Sequence, residues 1–153
     1  GSHAVGHVAD PHQPWPSQLG DRDMTEKLSA VQLAASGMRS QSERLRHISE
    51  NIANADTPGY RRKTVAFQEQ VDFGRRTGAV EAGPTRLDRS KLPEIYDPAH
   101  PMAGDDGYYL GSNVDLVVEI ADAKEAGRSY EANLRVFEQS RQMGSSLLDL
   151  IRR

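Results

Sequence analysis

Histidines and carboxylates are the residue types through which this chain could hold a metal or move a proton, and their spacing supports neither role. His3, His7 and His12 lie in a stretch without periodicity, where stray metal binding is open to any flexible tail. His47 falls within a helical pattern with no second ligand at helical spacing, so a surface or interface histidine is the default. His100 stands in a loop between Pro98 and Pro101, which gives it a structural reading. Asp97, Asp105, Asp106 and Asp115 do not follow calcium-loop spacing and read instead as turn formers. No serine sits in a nucleophile elbow, and no glycine-rich stretch follows a strand and opens a helix. Arg61-Arg62-Lys63 could meet a phosphate. It has only Tyr60 as an aromatic neighbour and belongs to a chain of net charge −3, so it reads as a solvated turn or a protein contact. Catalysis, a cofactor, a metal and nucleic-acid binding all lack a carrier.

The elements that could position a function are two long periodic segments. Leu28, Val31, Ala35, Met38, Ser42, Leu45, Ser49 and Ile52 recur at alternating spacings of three and four, with Ala34, Gln41 and Ile48 beside them. That is a heptad seam on one amphipathic helix, and Arg39, Glu43, Arg46 and Glu50 fall off it. The helix is expected to stop at Thr57-Pro58-Gly59-Tyr60. Pro58 disfavours helical geometry at Thr57, and Pro-Gly suits the centre of a type II turn. The second segment carries Leu116, Ile120, Ala123, Gly127, Tyr130, Leu134, Phe137, Arg141, Gly144, Leu148 and Ile151 in unbroken four-three alternation. Asn113 or Asp115 can cap its start. Gly127 and Gly144 cost helix propensity and make sense where another helix comes close. Arg141 suggests that the last turns are not in a closed dry core.

Between the helices, Val65, Phe67, Val71 and Phe73 alternate imperfectly, as in a bent strand or two short ones. Gly74, Gly78, Gly83 and Pro84 punctuate the next stretch. Thr85 to Tyr96 is weakly strand-like, with Pro93 limiting it to an edge, and Tyr108 to Leu110 is one more short strand. Gly1-Ser2-His3 looks like an expression scar, the segment to Asp23 reads as a disordered extension, and Met24 is a plausible native start.

The expected fold is mainly α with a small β insert. Residues 24–60 and 113–153 form terminal helices paired as an antiparallel coiled coil, 61–112 form the insert, and 1–23 lie outside. Only 37% of residues are hydrophobic, so the core is lean and a lone two-helix hairpin cannot bury both stripes. Assembly into a larger bundle is therefore expected. Its interface is assigned to Leu28, Val31, Met38, Leu45, Ile48 and Ile52 on the first helix. On the second it takes Leu116, Ile120, Tyr130, Leu134, Phe137, Leu148 and Ile151, with Pro58 and Gly59 setting the turn. No apolar run is long enough to span a membrane, and nothing near Gly1 or Met24 resembles a secretory signal. Cysteine is absent, which excludes disulfides and thiolate metal sites.

The same residues carry a family resemblance. Ala35-Ser36-Gly37-Met38 followed by Ser49-Glu50-Asn51-Ile52-Ala53-Asn54-Ala55-Asp56-Thr57-Pro58-Gly59-Tyr60 resembles the N-terminal signature of bacterial flagellar rod and hook proteins. Arg61 to Phe67 continues like the proximal rod members, as do Tyr96 to Pro101, Asp106 to Tyr108, Asn113 to Leu116 and Arg128 to Leu134. The likeness runs from Met24 to Arg153. It implies a structural subunit of the flagellar proximal rod, the drive shaft and export channel for motility. Such a subunit is exported without a cleaved signal by the flagellar type III apparatus and polymerises in the periplasm. The partners implied are itself, neighbouring rod proteins and membrane-ring adaptor proteins of the basal body. A generic coiled-coil adaptor is the alternative, and stable dimers in dilute solution would distinguish it. An enzyme would need a pocket with converging polar groups.

Overall fold

A computed structural model describes residues 6, 11, 12, 16–72 and 75–152. Helix α1 spans Pro16–Ala53 and helix α2 Leu116–Arg152, so the chain is mainly helical. Between them lie strands β1 (Lys63–Asp72) and β2 (Arg75–Leu87), then β3 (Glu94–Tyr96) and β4 (Tyr108–Leu110). Each consecutive pair forms its own two-stranded antiparallel sheet. At about 1.5 Å per residue each helix is a rod of roughly 55 Å.

Helix α1 begins eight residues earlier than Met24, which corrects the boundary of the expected extension. Pro16 suits the first helical position, because the amide it lacks would have no partner there. Once the periodic segment has nucleated a helix, propagation backward costs little, so weak periodicity over 16–23 does not stop it. The rest of the expected extension, and the proposed scar, lie almost wholly outside the described residues. At the other end Asp115 caps α2, its Oδ1 accepting from Val117 N at 3.0 Å.

Helix α1 ends where Asn54 Nδ2 turns back to Glu50 O (2.8 Å). Tyr60 N then donates to Thr57 O at 3.2 Å across Pro58-Gly59, and Gly59 has a φ of 73°. Gly59 N also donates to Leu110 O (3.0 Å), which ties the turn to β4. A β-branched residue is a steric outlier at that φ. Gly59→Val is therefore expected to lower stability by about 1–2 kcal/mol, read as a fall in thermal midpoint, whereas an unchanged midpoint would refute the turn's role.

Gly78, Gly83 and Pro84, expected to punctuate the chain after β1, instead lie within β2, and Gly74 lies outside the described residues. Register shifts fall between Val65 and Phe67 and between Glu69 and Val71, opposite Gly83-Pro84 and Thr77-Gly78-Ala79. Both are bulges that absorb extra residues of β2, and Gly78 takes a φ of 77° in one of them. Pro84 sits in the other, where a missing amide breaks no ladder bond. Turn-type residues therefore mark irregularity within one strand here, not its end.

The hairpin lies on α1. Ser40 Oγ donates to Val80 O (3.0 Å), Val80 N donates to Ser36 Oγ (3.2 Å), and Thr85 Oγ1 meets His47 Nε2 (3.1 Å). His47 is buried against the hairpin, so it is a packed structural residue. The second helix runs along another face of α1. Asn51 meets Glu119, Arg44 reaches Asp122 and Glu125, and Gly37 lies against Asn133, so partner numbers rise along α2 as they fall along α1. The helices come close at Gly37, where an added Cβ would sit 2.7 Å from the Asn133 side chain. Gly127 and Gly144, expected at close approaches, have open space around them within the single chain.

Candidate assembly interface

Residues 51 to 63 and 113 to 119 converge on a polar junction between α1, α2 and the insert. Asn51 and Glu119 are fully buried. Asn51 Oδ1 accepts from Tyr60 Oη (2.9 Å) and from Lys63 N (2.8 Å). Its Nδ2 donates to Lys63 O (2.9 Å) and Glu119 Oε2 (3.3 Å). All of the amide's polar atoms are thus occupied, which is the condition for burying it without cost. Arg62 Nε donates to Glu119 Oε1 at 2.7 Å, and its terminal nitrogens approach Asp88 (3.4 Å) and Asp122 (3.6 Å). Asn113 closes the ring, its Oδ1 accepting from Arg62 N (2.7 Å) while Nδ2 donates to Asp88 O (2.9 Å). Ser112 Oγ donates to Ala55 O beside the turn.

The electrostatics follow from these contacts. Burial alone would lower the Arg62 guanidinium, but the hydrogen bond and charge of Glu119, with Asp88 behind them, hold its pKa above the usual value. Asp88 is held low first by hydrogen bonds from Ser90 and then by Arg62. Glu50 is held low by its hydrogen bond with Lys63, Nζ to Oε2 2.7 Å, which in turn raises Lys63. Burial raises Tyr60. These charges are locked to one another, and they build a joint, not a reactive centre. Of the two readings of Arg61-Arg62-Lys63, a solvated turn or a protein contact, the solvated turn does not hold for the arginines: Arg62 ties the insert to α2 through Glu119, and Arg61 Nη1 donates to Ser90 O (2.9 Å). Sequence reasoning gave Asn51, Arg62, Asp88, Asn113 and Glu119 no common role, treating Arg62 as part of a basic triplet and Asn113 as a cap candidate. Their signal was the basic triplet placed straight after the turn, with a carboxylate one turn into the second helix.

The apolar seam is placed differently. Ile48 is buried, while Val31, Met38, Leu45, Tyr130, Leu134 and Phe137 are half-buried. Leu28, Ile52, Leu116, Ile120, Leu148 and Ile151 are exposed, Leu28 at 60% and Ile151 at 72%. Packing within one chain buries mainly small and polar positions: Ala34, Ser36, Ser40 and Asn51 on α1, and Ala126 and Glu119 on α2. The seam instead borders two open grooves along the helix pair. Met38, Tyr130 and Phe137 line one of about 600 Å³, and Leu28, Val31, Gly144 and Leu148 line an almost wholly apolar one of about 330 Å³.

The FlgC flagellar basal-body rod protein of Agrobacterium fabrum is 43% identical over 131 residues, spanning 81% of this chain and 94% of that protein. The chain belongs to the FlgC family of flagellar basal-body rod proteins. FlgC of Salmonella typhimurium is 35% identical over 131 residues (80% of this chain, 96% of that protein), and FlgC of Escherichia coli O157:H7 is 33% identical over 129 (80% and 96%). The family model for flagella basal body rod proteins matches residues 32–61, and that for the flagellar basal body rod FlgEFG C-terminal region matches 105–150. As a FlgC-family member the chain is a structural rod protein and not an enzyme. Among the described residues no helix is long and apolar enough to cross a membrane. The rod and hook signature from Ser49 to Tyr60 also contains two residues of the junction, Asn51 and Tyr60, which bond each other, and the Gly59 turn beside them.

Proposed function

We propose that this chain is a subunit of the proximal rod, in which the terminal helices form an antiparallel coiled coil that is completed by neighbouring subunits. The observation that carries this is the exposure of Leu28, Ile52, Leu116, Ile120, Leu148 and Ile151 at regular heptad positions on helices that already pack against each other. An exposed apolar stripe of this length is a cost in water unless another helix covers it. The helices, 24–60 and 113–153, act as the assembly core, and the insert, 61–112, decorates it. The joint at Asn51, Arg62 and Glu119 fixes the angle between core and insert so that every copy presents the same surfaces. The output is mechanical: torque passed along packed rods around a channel for exported subunits. The chain reaches the periplasm through the flagellar type III apparatus and meets itself, neighbouring rod proteins and the membrane-ring adaptors there. Deleting the gene in its source bacterium is expected to abolish swimming, and the protein should be recovered in purified basal bodies from the parent. Normal swimming without it, or basal bodies that lack it, would contradict the reading.

A further inference from the structure

The insert carries two exposed surfaces of opposite charge. The first is a groove of about 780 Å³ lined by Arg61, Arg86, Leu87 and Arg89. Arg86 and Arg89 are exposed, and Leu87 in the lining between them is 56% exposed. The second is the lobe made by β3, β4 and the loop between them. It carries Glu94, Asp97, Asp105 and Asp106, all exposed, and residues 92 to 110 contain no lysine or arginine. Tyr96, Met102 and Tyr108 are exposed among these carboxylates, and the two tyrosine rings brace each other at 5.1 Å. Among the described residues no ion pair joins the groove arginines to the lobe carboxylates.

We propose that the arginine groove of one copy receives the acidic aromatic lobe of a second copy. The two surfaces match in charge, and each has an apolar centre that the other would cover. Arginine pairs planar carboxylates through two parallel bonds and stacks on aromatic faces, so one residue type serves both parts of the lobe. Tyrosine, methionine and arginine are also the types enriched where proteins meet. The contact is heterologous, since groove and lobe are different surfaces. Repeating it propagates subunits around or along an axis, as a rod requires. It sets the partner of the insert, whereas the helix seam sets that of the core, and it presupposes assembly into the rod.

The absence of cysteine makes the test direct. The double variant Leu87→Cys with Met102→Cys is expressed as the sole copy, basal bodies are purified, and a short bis-maleimide crosslinker is applied. Recovery of the variant in basal bodies checks assembly separately from the contact. The expected result is a ladder of covalent multimers. Incorporated chains that stay monomeric, or that crosslink only within themselves, would overturn the proposal while leaving the rod reading intact. Arg86→Glu with Arg89→Glu should cut the ladder at least tenfold. Adding Glu94→Lys with Asp105→Lys should restore it. Reversal without restoration would show that the groove serves a different protein, and would also overturn the proposal.

Discussion

Ile120→Glu is expected to abolish rod formation and swimming while leaving the free protein folded. Ile120 is 50% exposed in the single chain, so the substitution removes little packing there, and surface changes usually shift stability by less than about 0.5 kcal/mol. In the assembled rod the same position would be covered, and a carboxylate buried without a partner costs several kcal/mol, on the order of 2–7 even for a neutral polar group. That penalty recurs at every copy. The readouts are motility, electron microscopy of basal bodies and the thermal midpoint of the purified variant. Intact rods built from it would remove Ile120 from the interface. Leu45 and Leu134 are less useful for this purpose, because both are half-buried within the chain and a charge there disturbs folding as well.

The second large effect concerns folding and not assembly. Glu119→Ala is expected to destabilise the monomer by about 3–5 kcal/mol, because it leaves the buried Asn51 amide and the Arg62 guanidinium without their common acceptor. The lower end applies, since Arg62 keeps Asp88 and Asp122 within 3.6 Å. A fall in melting temperature on the order of 10 °C is expected for a domain of this size. Glu119→Gln should lose less, because it keeps the volume and an acceptor oxygen. If Glu119→Ala melts with the parent, the joint contributes nothing to stability.

How far these features could be read from the chain depended on whether a periodic signal marked them. Both helices were legible from heptad spacing, and the turn from Pro58-Gly59, because each pattern maps onto one backbone geometry. The burial pattern was not. The three-four rule locates an apolar stripe but cannot say whether its partner is the same chain or another. Here the in-chain partner takes Ala34, Ile48 and Ala126 and leaves Leu116 and Ile120 in water. The small residues Ser36 and Ser40 lie off the apolar seam and carried no periodic signal, yet they are where the hairpin docks by hydrogen bonds. The junction was hidden for a different reason. Asn51, Arg62 and Glu119 lie far apart in the chain, and only the fold brings them together. Gly78 and Pro84 misled because a bulge and a chain reversal use the same residues.

The seam is expected to be open in the free subunit and closed in the rod, and cysteine labelling measures that difference. With no native cysteine in the chain, Leu116→Cys, Ile120→Cys and Leu148→Cys can each be labelled singly with a maleimide. Labelling is followed in the purified protein and in purified basal bodies, with denatured basal bodies as the reference for full reaction. All three positions are expected to react readily in the free protein and to be protected at least tenfold in the rod. Assembled rods in which they label as fast as in the free subunit would contradict the claim.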